Sequence, residues 1–241
     1  MVYANDKSQF DATQPVSGKP CFAVMGEFSV GKSTLCNLIL GEPVLPTKVT
    51  ATRLPPVWIS KGDADPQRID RAGNTHPLDL EKLDRINPDD TRYIKLYKSS
   101  ELLEMCDLID MPGISDPNMS YDGWDDIIAE THAVIWCTHA TQAWRQSEAA
   151  MWSTLPDALK SRGVLLLTRF DKLTTDRDRA RVIQRVEKET DGAFRGVYPI
   201  SLTSAMDAGE DPDLLRECGA ENMALGIVEL LTEMGAVNQP A

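Results

Sequence analysis

Gly26-Glu-Phe-Ser-Val-Gly-Lys-Ser-Thr34 is a complete G-x-x-x-x-G-K-S phosphate-binding loop, and its flanks indicate the fold that carries it. The apolar run Cys21-Phe-Ala-Val-Met25 precedes it as a buried strand, and Leu35-Cys-Asn-Leu-Ile-Leu40 follows with helical spacing. A helix beginning at Lys32 turns its free N–H groups and positive dipole end towards the point on which the loop amides converge, a setting made for a phosphate. Gly26 and Gly31 permit turns and a close backbone approach that a Cβ would block. The Lys32 ammonium can neutralise β- and γ-phosphates, and the Ser33 hydroxyl can ligate Mg²⁺. A plain surface turn, the alternative, has no need of this strand–loop–helix setting. The expected nucleotide contacts are Gly26, Glu27, Phe28, Ser29, Val30, Gly31, Lys32, Ser33 and Thr34.

Three later segments bear on which nucleotide is bound. Leu102 to Gly113 reads as an extended stretch ending in Asp-Met-Pro-Gly. Asp110 at its end is a candidate to hold the Mg²⁺ shell, and the Gly113 N–H to meet a γ-phosphate. The chain from Ile114 to about Asp125 is then a candidate switch, ordered by that phosphate. Gly163-Val-Leu-Leu-Leu-Thr-Arg-Phe-Asp-Lys172 reads as a buried strand with Thr168, Arg169, Asp171 and Lys172 at its C-terminal end, where open α/β sheets place ligand contacts. A carboxylate at Asp171 can accept from N1–H and the exocyclic amine of guanine. Adenine offers no such donor pair and would leave the charge unpaired. The Arg169 stem can cover the base plane. The alternative for Asp171 is a helix N-cap. Gly196 to Thr203 reads as another short strand, with Ser201 and Leu202 near the base edge and Ser204-Ala205 competing for that role.

Strands alternating with helices predict an α/β fold, a three-layer arrangement of a mainly parallel sheet with helices on both faces. Residues 1–19 read as a polar leader, 20–236 as one domain and 237–241 as a tail. Within the domain, 61–90 is an elaborated excursion rich in Asp, Gly, Pro and Asn, with a helical piece near Leu78 to Ile86. With 241 residues and 42% hydrophobic content the chain can bury a substantial core. Its net charge of −12 argues against nucleic acid as a partner and against direct docking on anionic lipid. Arg177, Arg179, Arg181 and Arg185 alternate with acids and apolar residues on one helical segment, which fits a solvated outer face. The five scattered cysteines lack paired metal-ligand spacing and read as reduced, buried thiols of a cytoplasmic protein. No apolar run is long enough for a transmembrane segment. His139, after the apolar run at Ala133, reads as a structural histidine or one facing the nucleotide.

G-x-x-x-x-G-K-S, D-x-P-G and T-R-x-D in this order resemble a guanine-nucleotide-binding domain, and within that superfamily the chain resembles the dynamin family in its bacterial branch. The likeness rests on the wording of the phosphate loop and on Leu45-Pro-Thr-Lys-Val-Thr-Ala-Thr-Arg-Leu-Pro55, which is similar to the family's first switch. It implies a Mg²⁺-dependent GTPase cycling between GTP and GDP, with Lys32, Ser29, Gly113 and a switch threonine as catalytic groups. Ser33, Asp110 and that threonine would hold the metal. Thr52 matches through Thr-Arg-Leu-Pro and Thr50 through Thr-Ala, with Thr52 preferred. Two departures stand out. Phe28 occupies the place of dynamin's catalytic Gln, and Ile114 the place of the Gln that small GTPases carry after D-x-x-G; neither can orient water. The resemblance therefore implies hydrolysis completed by a nucleotide-dependent homodimer, or by K⁺ or Na⁺ at Ser29. No stalk or lipid-binding tip is recognisable, so the resemblance implies either a piece of a longer chain or a stand-alone GTPase served by a stalk-bearing or membrane-associated partner, with a location peripheral to the inner membrane through such partners. The rival readings are a slow or non-catalytic GTP-dependent docking switch, an RNA- or ribosome-associated GTPase, and an ATPase in which Asp171 is only a cap.

Overall fold

Every residue of Cys21–Gly26 is buried, as a strand covered on both faces must be, and this strand (β1) lies inside a nine-stranded sheet. The computed structural model describes residues 18–46, 54–114 and 124–236. After the phosphate loop comes α1 (Lys32–Leu40), then β2 (Val57–Lys61), β3 (Gln67–Asp70), β4 (Thr75–Pro77) and β5 (Thr91–Lys98). There follow α2 (Glu101–Met105), β6 (Asp107–Asp110), α3 (Asp125–Ala129), β7 (Ala133–His139), α4 (Gln146–Thr154) and α5 (Asp157–Lys160). The last part holds β8 (Gly163–Thr168), α6 (Asp176–Thr190), β9 (Val197–Pro199), α7 (Leu202–Ala208), α8 (Pro212–Glu217) and α9 (Ala220–Glu233).

The strand order is β4-β3-β5-β2-β6-β1-β7-β8-β9. From β6 through β9 all pairings are parallel, and β2 runs antiparallel to β6. Alternation along β1 feeds two cores. Phe22 and Val24 pack with Leu35 of α1, Leu103 of α2, Leu202 of α7 and Ile227 of α9 on one face. Ala23 and Met25 pack with Ile127 of α3, Trp152 of α4, Leu159 of α5 and Val186 of α6 on the other. The expected three layers are present. Because β1 is flanked by the parallel strands β6 and β7, which lie on opposite sides of it, the sheet reverses direction of travel there, and the C-terminal ends of these strands meet at one crevice.

Four local expectations need correction. Leu102 to Asp110 is not extended throughout: α2 forms first, with acidic Glu101 and Glu104 in its opening turn favouring the helix dipole. The 61–90 excursion extends the sheet through the β3–β4 hairpin, closed by Asp70, which accepts from the backbone N–H of Ala72 and Asn74 and meets His76. Its helical piece is a 3-10 turn over Leu80–Arg85, broken at Lys82. The strand after Gly196 stops at Pro199, and Ser201 instead caps α7 by accepting from Ser204 N–H. On α6 the arginine face is largely exposed, as expected.

Candidate nucleotide site

The phosphate loop is fitted tightly to its surroundings. Gly26 has φ 139°, and a Cβ there would lie 2.1 Å from the Cys137 carbonyl oxygen of β7. Gly31, at φ 100°, leads into α1, and its space is closed by Leu202. Lys32 is buried, and its Nζ donates to the carbonyls of Gly26 (3.2 Å) and Glu27 (2.8 Å), spanning the loop. Alanine at Gly26 has nowhere to go, because the obstacle is backbone of the central sheet. Gly26→Ala is expected to cost about 3 kcal/mol of stability, read as a shifted denaturation midpoint, together with loss of nucleotide binding.

Asp110 ends β6 beside β1, and the register Val24↔Asp110 sets it next to the loop. Ser33 Oγ donates to Asp110 Oδ2 at 2.6 Å. Asp110 Oδ1 is buried with no hydrogen-bond partner among the described residues. Such an orphaned acceptor normally has an unseen partner. A hydroxyl and one carboxylate, with the rest of the shell left to water and phosphate oxygens, is the donor set Mg²⁺ favours. The residues therefore fit that ion. Burial pushes the Asp110 carboxyl above the usual carboxylate range, against the Lys32 charge and the Ser33 hydrogen bond. Burial likewise lowers Lys32 from its usual value, opposed first by Asp110. Both charges are poised for partners that share their pocket.

Beyond Asp110 the chain turns so closely under the loop that a Cβ on Gly113 would lie 2.7 Å from Phe28 Cα. Ile114 N–H donates to the Gly26 carbonyl at 3.1 Å, and its side chain is buried at 5% exposure, whereas Phe28 is 43% exposed. The switch segment from residue 115 to 123, and Thr50 and Thr52, lie outside the described residues.

On the other side, Thr168 is fully buried at the end of β8, and its hydroxyl donates to the carbonyls of Val30 (2.7 Å) and Thr138 (3.1 Å). It serves the loop from behind. Arg169 adopts a left-handed conformation at φ 53° and donates through Nη2 to the Ser29 carbonyl at 3.2 Å. Asp171 lies in the 3-10 turn Phe170–Lys172, with its side chain 31% exposed and the Lys172 ammonium at 3.3 Å. It is not the helix cap of the alternative reading, because Thr175 caps α6. Phe170 N–H donates to the Ile200 carbonyl at 3.2 Å, which ties this turn to Ser201 and Leu202. Both of those residues are buried, Ser201 capping α7 and Leu202 packing against Gly31. Thr34 sits in the first turn of α1.

Sequence reasoning missed the residues around Glu27. Its carboxylate accepts from Arg145 Nη1 at 3.1 Å and from the Ser147 hydroxyl. The start of α4 is fixed in turn by buried Glu148, which accepts from Trp136 Nε1, Thr138 Oγ1 and Arg145 N–H. Burial holds Glu148 above the usual carboxylate range. Glu27, Arg145 and Glu148, with His139, Gln142 and Arg169, line a cleft of about 170 Å³ on the flank of the loop. His139 Nδ1 accepts from Thr141 N–H at 3.2 Å, a local structural bond. The only signal in the sequence was an acid inside a loop built for anions.

This fold and site define a P-loop nucleotide-binding domain of the GTPase type. The model of the dynamin family matches residues 22–170, more than half of the chain. The protein belongs to the dynamin family. It is 27% identical over 160 residues to Dynamin-like protein 2 of Campylobacter jejuni, a match covering 64% of this chain and 26% of that protein. A solved structure of an oligomerised bacterial dynamin pair, reported to provide a mechanism for long-range sensing and tethering of membranes, superposes with a TM-score of 0.71 at 16% identity, covering 90% of this chain and 47% of that one. Era of Aquifex aeolicus, bound to GDP and AlF4⁻, gives 0.52 at 16% identity over 92% of this chain and 57% of that one. The chain thus spans about a quarter of the curated relative and about half of the bacterial dynamin it matches. Among the described residues no helix is long and apolar enough to cross a membrane.

Proposed function

We propose that this domain binds GTP with Mg²⁺ and hydrolyses it to GDP and phosphate. The observation that carries the reading is Ser33 Oγ at 2.6 Å from Asp110 with the second carboxylate oxygen buried and unpartnered among the described residues, beside a buried Lys32 that spans the phosphate loop. Mg²⁺ held there would draw charge from the β- and γ-phosphate oxygens. The chain's own part is positional. Loop amides and Lys32 stabilise the charge that moves to the β–γ bridging oxygen as water attacks the γ-phosphorus and that P–O bond breaks. Asp171 selects guanine, Arg169 covers the base, and Lys172, Ser201 and Leu202 complete the base pocket.

Neither Phe28 nor Ile114 can orient the attacking water. That task falls to a switch-one threonine, Thr52 or Thr50, and to a second copy of the domain meeting the nucleotide face, with K⁺ or Na⁺ at Ser29 supplying further positive charge. The membrane-tethering bacterial dynamin pair supports an oligomer through this domain and a stalk-bearing or membrane-associated partner that keeps it peripheral to the inner membrane. The test is GTP turnover per molecule as protein concentration rises, with Mg²⁺ and either K⁺ or Na⁺. Turnover that climbs with concentration and is absent in Asp110→Ala supports the proposal; a flat, near-zero rate at every concentration sinks it. Buried Ile114 and exposed Phe28 also favour a second reading, a switch that binds GTP tightly and docks on a partner without turnover. Tight binding with no hydrolysis at high concentration would select it.

A further inference from the structure

Glu27 is an odd residue to find inside a loop that binds phosphates, since a carboxylate there repels the ligand unless neutralised. It is buried at 6% exposure and is neutralised by Arg145 at 3.1 Å, with the Ser147 hydroxyl on its other oxygen. Arg145 precedes α4, and its N–H is held by Glu148 Oε2 at 2.9 Å. Glu148 holds the Thr138 hydroxyl at 2.9 Å. The Thr138 carbonyl accepts from Thr168, which also donates to the Val30 carbonyl at 2.7 Å. A chain of polar contacts therefore leaves the phosphate loop at Glu27, passes through α4 and the ends of β7 and β8, and returns to the loop at Val30. Phe28 and Ser29, with Ser29 in a left-handed conformation at φ 60°, lie between these two anchors, with Arg169 Nη2 also holding the Ser29 carbonyl at 3.2 Å.

We propose that Arg145 is a positioning residue for GTP hydrolysis: through its ion pair with Glu27 it sets the Phe28–Ser29 segment of the phosphate loop. The proposal rests on the hydrolysis reading above. Lys32, Ser33 and Asp171 hold the ground-state nucleotide without Arg145. Displacing the 28–29 amides by a fraction of an ångström falls instead on the transition state, where charge has moved. The side chain is 48% exposed in the flanking cleft, so its guanidinium is open to solvent while its partner is not.

Steady-state GTP hydrolysis of the full chain tests this, at one protein concentration high enough for wild-type turnover. Arg145→Ala is expected to lower kcat roughly 10-fold with KM changed less than about 2-fold. Arg145→Lys, which keeps the charge, is expected to recover most of that loss. Glu27→Gln should match Arg145→Ala, and the double variant should be no worse than either, because both act through one contact. Ser147→Ala removes the other Glu27 bond and gives a second route should Arg145→Ala fold poorly; it is expected to lower kcat about 3-fold in the same way. Wild-type kcat in Arg145→Ala, or additive losses in the double variant, would overturn the proposal, as would equal changes in kcat and KM accompanied by a lowered Tm. A wild type that binds no GTP, or binds without turnover, is a different result: it fails the hydrolysis reading itself.

Discussion

Replacing Lys32 by alanine is expected to weaken GTP binding roughly 100- to 1000-fold, the range in which truncating one side of a buried charge pair falls. Lys32 differs from a surface lysine in two ways that raise the stake. Its ammonium is buried and already disfavoured by that burial, so it binds a phosphate without the competing water an exposed lysine would keep. It also tethers the loop, through the Gly26 and Glu27 carbonyls. Calorimetric titration of GTP in Mg²⁺ reads the loss directly. A second readout is pH. Asp110 must be ionised to hold the metal; burial raises its pKa, and the Lys32 charge is the first influence that lowers it again. Removing Lys32 leaves that pKa higher still. The residual Mg²⁺-dependent affinity should therefore begin to fall at a higher pH, on acidification, than it does in the wild type. An unchanged acid limb would mean that the two groups are not electrically coupled.

Lys32 and Asp110 show what in this chain was legible from the sequence. Lys32 follows the apolar run Cys21–Met25 through the phosphate loop, and Asp110 directly follows the apolar pair Leu108–Ile109. Apolar segments of this kind mark strands buried on both faces, whose C-terminal ends lie at the ligand crevice. In the sheet the Asp110 strand β6 lies directly beside β1, which carries the phosphate loop, and the Asp171 turn follows β8, one strand further on past β7. The β3–β4 hairpin was not legible because Ile69 is its one buried residue, so no apolar alternation marks it. The strand assigned through Thr203 failed for a related reason: Ile200 and Leu202 are both buried, but the first lies just past the strand end at Pro199 while the second begins a helix at a Ser201 cap. Two apolar residues flanking a serine do not distinguish these. The Glu27–Arg145 contact spans 118 positions in sequence and follows no local rule at all. Its one trace is the misplaced acid. Charge tells a compatible story at lower resolution. A net −12 disfavours a broad surface of phosphate contacts of the kind nucleic acid needs.

The second large effect concerns Asp171, and it separates guanine recognition from a merely structural turn. Its side chain is 31% exposed and lies near the Lys172 ammonium. The burial that would penalise adenine must therefore come from the base itself covering the carboxylate. Two charge-assisted hydrogen bonds from N1–H and the exocyclic amine, at about 1.5–3 kcal/mol each, make Asp171→Asn expected to weaken GTP binding by about 100-fold or more. Fold stability should hardly move, since Thr175, not Asp171, caps the following helix. The variant has a matching gain. Xanthine carries a carbonyl where guanine carries the amine, so the amide introduced by Asp171→Asn can donate where the carboxylate could only accept. Competition titrations with GTP, ATP and XTP on both proteins should show the preference passing from GTP to XTP, with ATP weak throughout. ATP binding as tightly as GTP to the wild type would make this an adenine or unspecific site, and GTP affinity unaltered in Asp171→Asn would remove the base contact from Asp171 altogether.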